Sequence, residues 1–230
     1  MLQIDRLTAG YGDFQALFDI SLELEEGETV AIIGSNGAGK STFLRSLAGL
    51  IRNEREAIRF RGEAIGHLPG NRVLERGIAL VPEGRKLFPS LSVEENLLIG
   101  AYSKRPGAWN LARIYALFPV LGNLRKRPGT HLSGGQQQMV AIGRALMANP
   151  QLLLCDEISL GLAPTTIKDI YAALPSIKAD GISVVLVEQD INQALSVADR
   201  FYCFQEGRVS LAGKPGEVGK DAIKAAYFGI

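Results

Sequence analysis

The chain has 230 residues, 47% hydrophobic and 21% charged, with a formal net charge of +1. That is enough apolar material for one large domain or two small ones, and so even a charge balance gives no argument for nucleic acid as a main partner. No run approaches the ~18 apolar residues of a membrane helix, and the charged start Met1-Leu-Gln-Ile-Asp-Arg6 is unlike a signal peptide.

The N-terminal stretch alternates over Leu2–Leu7 and again over Ala16–Leu24, which predicts an antiparallel edge sheet feeding the next strand. That strand is Thr29–Ile33, a β-branched apolar run of the buried kind. The spacing G-x-x-x-x-G-K-S follows as Gly34-Ser35-Asn36-Gly37-Ala38-Gly39-Lys40-Ser41-Thr42. A helix is expected over Ser41–Leu50, with Phe43, Leu44, Leu47 and Leu50 on one side. The glycines let consecutive backbone N–H groups point into one hollow. The helix N-terminus behind them adds about half a unit of positive charge. Lys40 then reaches β- and γ-phosphates, and the Ser41 hydroxyl is a ligand for Mg²⁺.

Asn53–Gly66 is polar with a short strand at Ala57–Phe60, and Ile78–Val81 is a buried strand closed by Pro82. From Ser92 the strand signals stop. Ser92-Val-Glu-Glu95 is a capped helix start, and helices are expected near Val93–Tyr102 and Leu111–Phe118. This predicts an all-helical insertion at about 92–135. Its basic clusters, Lys104-Arg105 and Arg125-Lys126-Arg127, read as solvated loops.

A second anion-binding pattern, Leu132-Ser133-Gly134-Gly135-Gln136, opens a helix expected to run to about Ala148, where Asn149-Pro150 stops it. Strand and helix then alternate over Leu152–Cys155, Pro164–Ala179, Ser183–Glu188 and Asp190–Ala198, which implies parallel strands with crossover helices. Ile167, Ile170, Tyr171, Leu174 and Ile177 form an apolar stripe, and Pro175 predicts a kink there. Cys155 and Cys203 sit in apolar runs, like buried small hydrophobes in a reducing compartment. His67 and His131 are isolated and complete no metal spacing. Asp156 and Glu157 directly follow apolar residues, an unfavourable place for two acids unless a cation lies beside them.

These motifs resemble the ATP-binding cassette (ABC) family over essentially the whole chain. Gly34–Thr42 matches its Walker A, Leu132–Gln136 its signature, and Leu152–Asp156 with Glu157 its Walker B. The resemblance implies an α/β fold: a P-loop NTPase core with a parallel sheet flanked by helices, an N-terminal antiparallel β subdomain and an inserted α-helical subdomain. Residues 1–230 would then be a single ABC ATPase domain, with about 1–91 and 136–230 as core and about 92–135 as the helical subdomain. Val81-Pro-Glu-Gly-Arg-Lys-Leu-Phe88, Ser159-Leu-Gly-Leu-Ala-Pro164, Leu186-Val-Glu-Gln189 and Ala226-Tyr-Phe-Gly229 resemble the shorter, F-type ATPase of branched-chain amino acid importers.

The resemblance also assigns roles. ATP and Mg²⁺ are the expected cofactors. Tyr11 matches the aromatic that stacks on adenine, Asp156 the residue behind the Mg²⁺ shell, and Glu157 the one that polarises the attacking water. Ser133, Gly134, Gly135 and Gln136 match the site that caps the γ-phosphate on an opposing subunit, so ATP would join two cassettes head to tail. Two positions depart from the commonest pattern. Glu83 stands where Gln usually contacts Mg²⁺ and the lytic water, and Gln189 stands where a switch His is usual. Both are expected to act in catalysis, Gln189 as an uncharged donor. Ile158 replaces a common Pro and should loosen its turn.

The expected function is thus the ATPase subunit of an importer of branched-chain or related amino acids, peripheral on the inner face of the cell membrane. Its partners would be permease subunits, a second cassette of its own or another kind, and indirectly a solute-binding protein. The alternatives are a urea or amide importer ATPase, a non-transport ABC ATPase acting on nucleic acid or ribosome, and a module that holds ATP without cleaving it. Arg85–Leu91 is where the resemblance puts contact with the membrane subunits. Phe88 is an anchor there if exposed and ordinary core if buried.

Overall fold

Apolar runs without polar alternation suit strands covered on both faces, and the chain uses three of them at its centre. The computed structural model describes residues 1–229. β1 (Leu2–Tyr11), β2 (Phe14–Leu24), β4 (Ile58–Phe60) and β5 (Glu63–Ala64) form an antiparallel sheet in the order β2-β1-β4-β5. β3 (Thr29–Gly34), β6 (Ile78–Val81), β7 (Leu152–Asp156), β8 (Ser183–Glu188), β9 (Arg200–Gln205) and β10 (Arg208–Gly213) form a second sheet in the order β10-β9-β3-β8-β7-β6. All its pairs are parallel except the β9–β10 hairpin. The expected single edge sheet feeding β3 is therefore a separate sheet, stacked on one face of the second.

Side-chain alternation divides the central strands between two cores. Val30, Ile32, Leu152, Leu154, Val185 and Val187 pack toward the antiparallel sheet and α1 (Lys40–Leu47). Leu153, Cys155, Val184 and Leu186 pack toward α6 (Gly134–Leu146) and α7 (Pro164–Ala179). Both cysteines are free and buried. α1 ends at Leu47, and Leu50 lies beyond it, exposed rather than on the apolar side. α7 runs on through Pro175.

Between β6 and α6 the chain is helical, with α3 (Val93–Gly100), α4 (Leu111–Leu117) and α5 (Pro119–Leu124). Ser92 and Glu95 make the expected capping box. A bridge between Ser92 and Pro128 and the bond from the Val93 N–H to the Arg127 carbonyl hold the entry and exit of this segment side by side. Its buried residues are continuous with the core beneath the parallel sheet, so it has no separate core of its own. Arg105 is not a freely solvated residue: its guanidinium donates to the carbonyls of Glu75 (2.7 Å) and Asn149 (3.4 Å). Three helices escaped the sequence reading: α2 (Gly70–Glu75), α5 and the C-terminal α9 (Lys220–Phe228). α8 (Ile191–Val197) falls within its expected range.

α3 and α6 cross closely at Gly100, where a Cβ would fall on the Arg144 carbonyl oxygen. Overpacking of this kind costs about 1–3 kcal/mol. Gly100→Ala is therefore expected to lower Tm, by roughly 2–4 °C per kcal/mol in a chain of this size. Thermal denaturation checks this, and an unchanged Tm would show that the crossing relaxes freely.

Candidate active site

Parallel strands present their C-terminal ends at one edge, and open α/β sheets bind ligands there. Register fixes what gathers at that edge: Ile33 pairs with Glu188, Asp156 with Val187, and Val81 with Cys155. The loops after β3, β7, β8 and β6 therefore bring the phosphate loop, the acid pair, Gln189 and Glu83 together from positions far apart in sequence.

The loop 34–39 turns through glycines at φ +81° (Gly37) and +95° (Gly39). At Gly39 a Cβ would stand 2.7 Å from Leu17 Cδ2, so conformation and space both require glycine. Ser35, Asn36 and Ala38 complete the turn, and the Ala38 N–H donates to the Ser35 carbonyl (3.2 Å). Lys40 is buried, and its Nζ donates to the carbonyls of Gly34 (2.7 Å) and Ser35 (3.0 Å). Burial pulls its pKa down, opposed by the charges of Glu157 and Asp156. Its Nζ is 4.0 Å from Glu157 Oε1. The cation that two acids at a strand end require is thus Lys40.

Ser41 Oγ donates to Asp156 Oδ1 at 3.1 Å. Burial raises the Asp156 pKa to about 6, the Ser41 hydrogen bond opposes this, and Glu157 and Glu83 add to it. Glu83 is itself exposed and shares a groove of about 340 Å³ with Asp156, Arg45 and Lys86. Glu157 has φ +48°, and its N–H donates to the Val187 carbonyl at 3.0 Å. Gln189 Nε2 donates to Glu157 Oε2 at 2.7 Å. Tyr11, at the tip of the β1–β2 hairpin, brings its hydroxyl 3.5 Å from Thr42 Oγ1 and 3.1 Å from Arg45 Nη1. Its ring remains substantially exposed beside α1.

The second motif stands apart. Ser133 caps α6, accepting from the Gln136 N–H (3.3 Å) while Gln136 Oε1 accepts from the Ser133 N–H (3.0 Å). Gly135 is buried against Thr166, and the Arg85 guanidinium lies over Gly134. Among the described residues no hydrogen bond joins 133–136 to 34–42.

The ABC transporter family profile matches residues 17–159, a span that includes the phosphate loop, the second motif and the acid pair. The chain belongs to the ABC transporter family. Its cassette is 45% identical to the high-affinity branched-chain amino acid transport ATP-binding protein BraG of Pseudomonas aeruginosa, with 91% of each chain covered. It is 34% identical to a probable branched-chain amino acid transport ATP-binding protein, LivF, of Archaeoglobus fulgidus, over 95% of this chain and 94% of the relative. Among solved structures it superposes on a dimeric ATP-binding cassette in a post-hydrolysis state bound to ADP and Pi. The TM-score is 0.82 at 28% identity, covering 93% of this chain and 98% of the other. The cassette is an ATPase.

Ser41, Asp156 and Glu83 are hard oxygen donors of the kind Mg²⁺ selects. Among the described residues no group of three His, Cys, Asp or Glu side chains holds a metal by itself. A cation held there would need phosphate and water to complete its shell, which is how Mg²⁺ is usually bound. The residues fit the ion.

The raised Asp156 pKa also makes a stability prediction. A carboxyl raised in the folded state stabilises the fold fully only below its unfolded pKa, near 3.9, and that contribution is lost as pH rises through about 6. The difference is worth about 3 kcal/mol at most. Asp156→Asn is expected to stabilise the nucleotide-free cassette above pH 6 and to make no difference near pH 4. Urea unfolding across pH 4–8 measures this, and equal stabilities at pH 7.5 would refute it.

Several residues of the site carried no recognisable signal. Arg144 of α6 donates to the carbonyls of Lys86 (2.8 Å) and Arg85 (3.0 Å). Those two residues have φ +45° and +65°, so Arg144 holds the strained loop that follows Glu83. The Tyr227 hydroxyl donates to the Gln189 carbonyl at 3.4 Å, bringing α9 against Gln189. Glu188 is buried among hydroxyl donors. Its one cue in the sequence is an acid closing an otherwise apolar strand.

Proposed function

We propose that this ATPase drives uptake of branched-chain or chemically related amino acids as the cytoplasmic motor of an importer. The observation that carries the reading is the 45% identity to BraG over 91% of both chains. In this reading the N–H groups of 34–42 and the Lys40 ammonium bind the triphosphate, and Tyr11 turns onto the adenine. Ser41 and Asp156, with Glu83 beside them, would hold Mg²⁺, which would supply charge neutralisation on the phosphates. Glu157, fixed by Gln189, accepts a proton from the attacking water.

The N–H groups of Gly134 and Gly135, in the first turn of α6, would serve as an anion site. A second cassette, of the same or another kind, would offer its γ-phosphate there, so ATP joins the pair and hydrolysis releases it. The helical segment about 92–135 moves with that interface as a subdomain and transmits it to permease subunits.

Phe88 is 47% exposed, which favours the anchor over the core alternative. With Ile99, Leu80 and the stem of Arg144 it lines a groove of about 290 Å³ between the loop and the helices, the surface proposed to receive a permease. No helix of the described residues is long and apolar enough to cross a membrane.

Affinity purification of the tagged chain from gently solubilised membranes tests the reading. Two polytopic permeases and a second cassette are expected, with a solute-binding protein whose ligand can then be titrated. Recovery of ribosomal or DNA-repair proteins alone would overturn transport and leave the ATP site standing.

A further inference from the structure

We infer that Glu188 is a positioning residue for hydrolysis, the acceptor that ties the loop carrying Glu157 to the loop carrying Gln189. The inference rests on the proposed role of Glu157 as acceptor of the water proton.

Glu188 is the last residue of β8 and is 1% exposed. Among the described residues no ion pair includes it, and the Lys40 ammonium acts on it only from beyond ion-pair distance. Its Oε1 accepts from the Tyr171 hydroxyl (2.8 Å) and the Ser159 N–H (3.2 Å), and its Oε2 accepts from the Ser159 hydroxyl (2.8 Å). A buried carboxylate held by neutral donors alone is costly relative to an apolar side chain of similar size. A position that needed only filling would be better served by Leu or Met.

Those contacts close a ring. Ser159 is two residues beyond Glu157, across the fully buried Ile158. Gln189 directly follows Glu188 and donates back to Glu157. Glu157, Ile158, Ser159, Glu188 and Gln189 thus form one cycle, closed by backbone on two sides and by side-chain hydrogen bonds on the other two. Tyr171 of α7 braces it from beneath. With the Ser159–Glu188 bonds in place, the Gln189 amide cannot drift from the Glu157 carboxylate without disturbing both loops. Ile158, where a proline would stiffen the turn, makes that tie more necessary. Mutually supporting polar networks of this kind hold a single geometry only when every member is satisfied.

The test is steady-state ATP hydrolysis by the full chain, with kcat and KM measured separately. Tyr171→Phe removes one hydroxyl and no packing volume. It is expected to lower kcat about 3- to 10-fold, the value of one hydrogen bond, with KM for ATP unchanged. Glu188→Leu is expected to lower kcat further. Glu188→Gln is expected to restore most of the activity, because the amide oxygen keeps the Tyr171 and Ser159 N–H bonds and the Ser159 hydroxyl can turn to accept. In a Gln189→Ala background, which removes what the ring positions, Tyr171→Phe is expected to cost less than about 2-fold.

Equal losses in both backgrounds, an unchanged kcat, or a loss that appears in KM alone would each overturn the inference. Glu157→Gln is run alongside. Wild-type turnover by that variant would defeat the reading of Glu157 itself, whatever Tyr171→Phe does.

Discussion

Glu157→Gln is expected to leave ATP binding intact and to slow hydrolysis by about 100-fold or more. General-base assistance typically contributes 10²–10⁴-fold, and the carboxylate is the group proposed to give it. Its Oε2 is held by Gln189 at 2.7 Å and its Oε1 stands 4.0 Å from the Lys40 ammonium. The amide keeps the shape and still accepts from Gln189 through its oxygen, so geometry survives while basicity is lost. The ground state is untouched, and the loss falls on kcat rather than KM. With hydrolysis blocked, the ATP-joined pair should persist. Gel filtration with Mg²⁺ and ATP should then show the variant at twice the mass of the nucleotide-free chain. Phosphate release at wild-type rates would rule out the assigned role, and a monomer with ATP bound would rule out pairing with a second copy of this chain and leave a cassette of another kind as the partner.

The second large effect is at Lys40. Lys40→Ala is expected to weaken ATP binding by about 30- to 5,000-fold, because truncating one member of a buried, hydrogen-bonded charge contact costs about 2–5 kcal/mol. The ammonium is desolvated, and its pKa is already drawn down by that burial. Its free energy of transfer from water has largely been spent in folding, so it meets phosphate at nearly full strength. The fold should survive. The Gly34 and Ser35 carbonyls lose a donor, but the chain also sheds a buried charge, and these opposing changes should keep Tm within a few degrees. Fluorescent-nucleotide titration and a melting curve separate the two. Undiminished affinity would mean that backbone N–H groups alone hold the triphosphate, and a collapse in Tm would mean that Lys40 is structural.

The phosphate loop, the signature and the acid pair were legible because each is set by local rules. A loop that must pass through positive φ needs glycine at fixed positions, as Gly37 and Gly39 show. A helix start needs its cap, as Ser92 and Ser133 show. Strands buried on both faces must be continuously apolar, as β3, β7 and β8 are. Leu50 misled for the converse reason. Helical spacing continued past Leu47, but Gly49 at φ +68° turns the chain out to solvent. The short α2 and α5 gave too few turns for a periodic signal.

The sequence by itself determined the local patterns: the glycine-rich turn between strand and helix, the acids that close an apolar strand, and that the fold is α/β. Those features repeat with the local period of the backbone or sit within a few residues of one another. Only the tertiary structure decided who meets whom. The order β3-β8-β7-β6 brings Glu83, Asp156, Gln189 and Lys40 to one sheet edge, although they are far apart in the chain. The same packing exposes Phe88, hangs the loop after Glu83 on Arg144, and buries Glu188 against Ser159 and Tyr171. These are contacts across elements. They depend on strand order and on which face each strand turns to its neighbours, and no local pattern in a single chain encodes either.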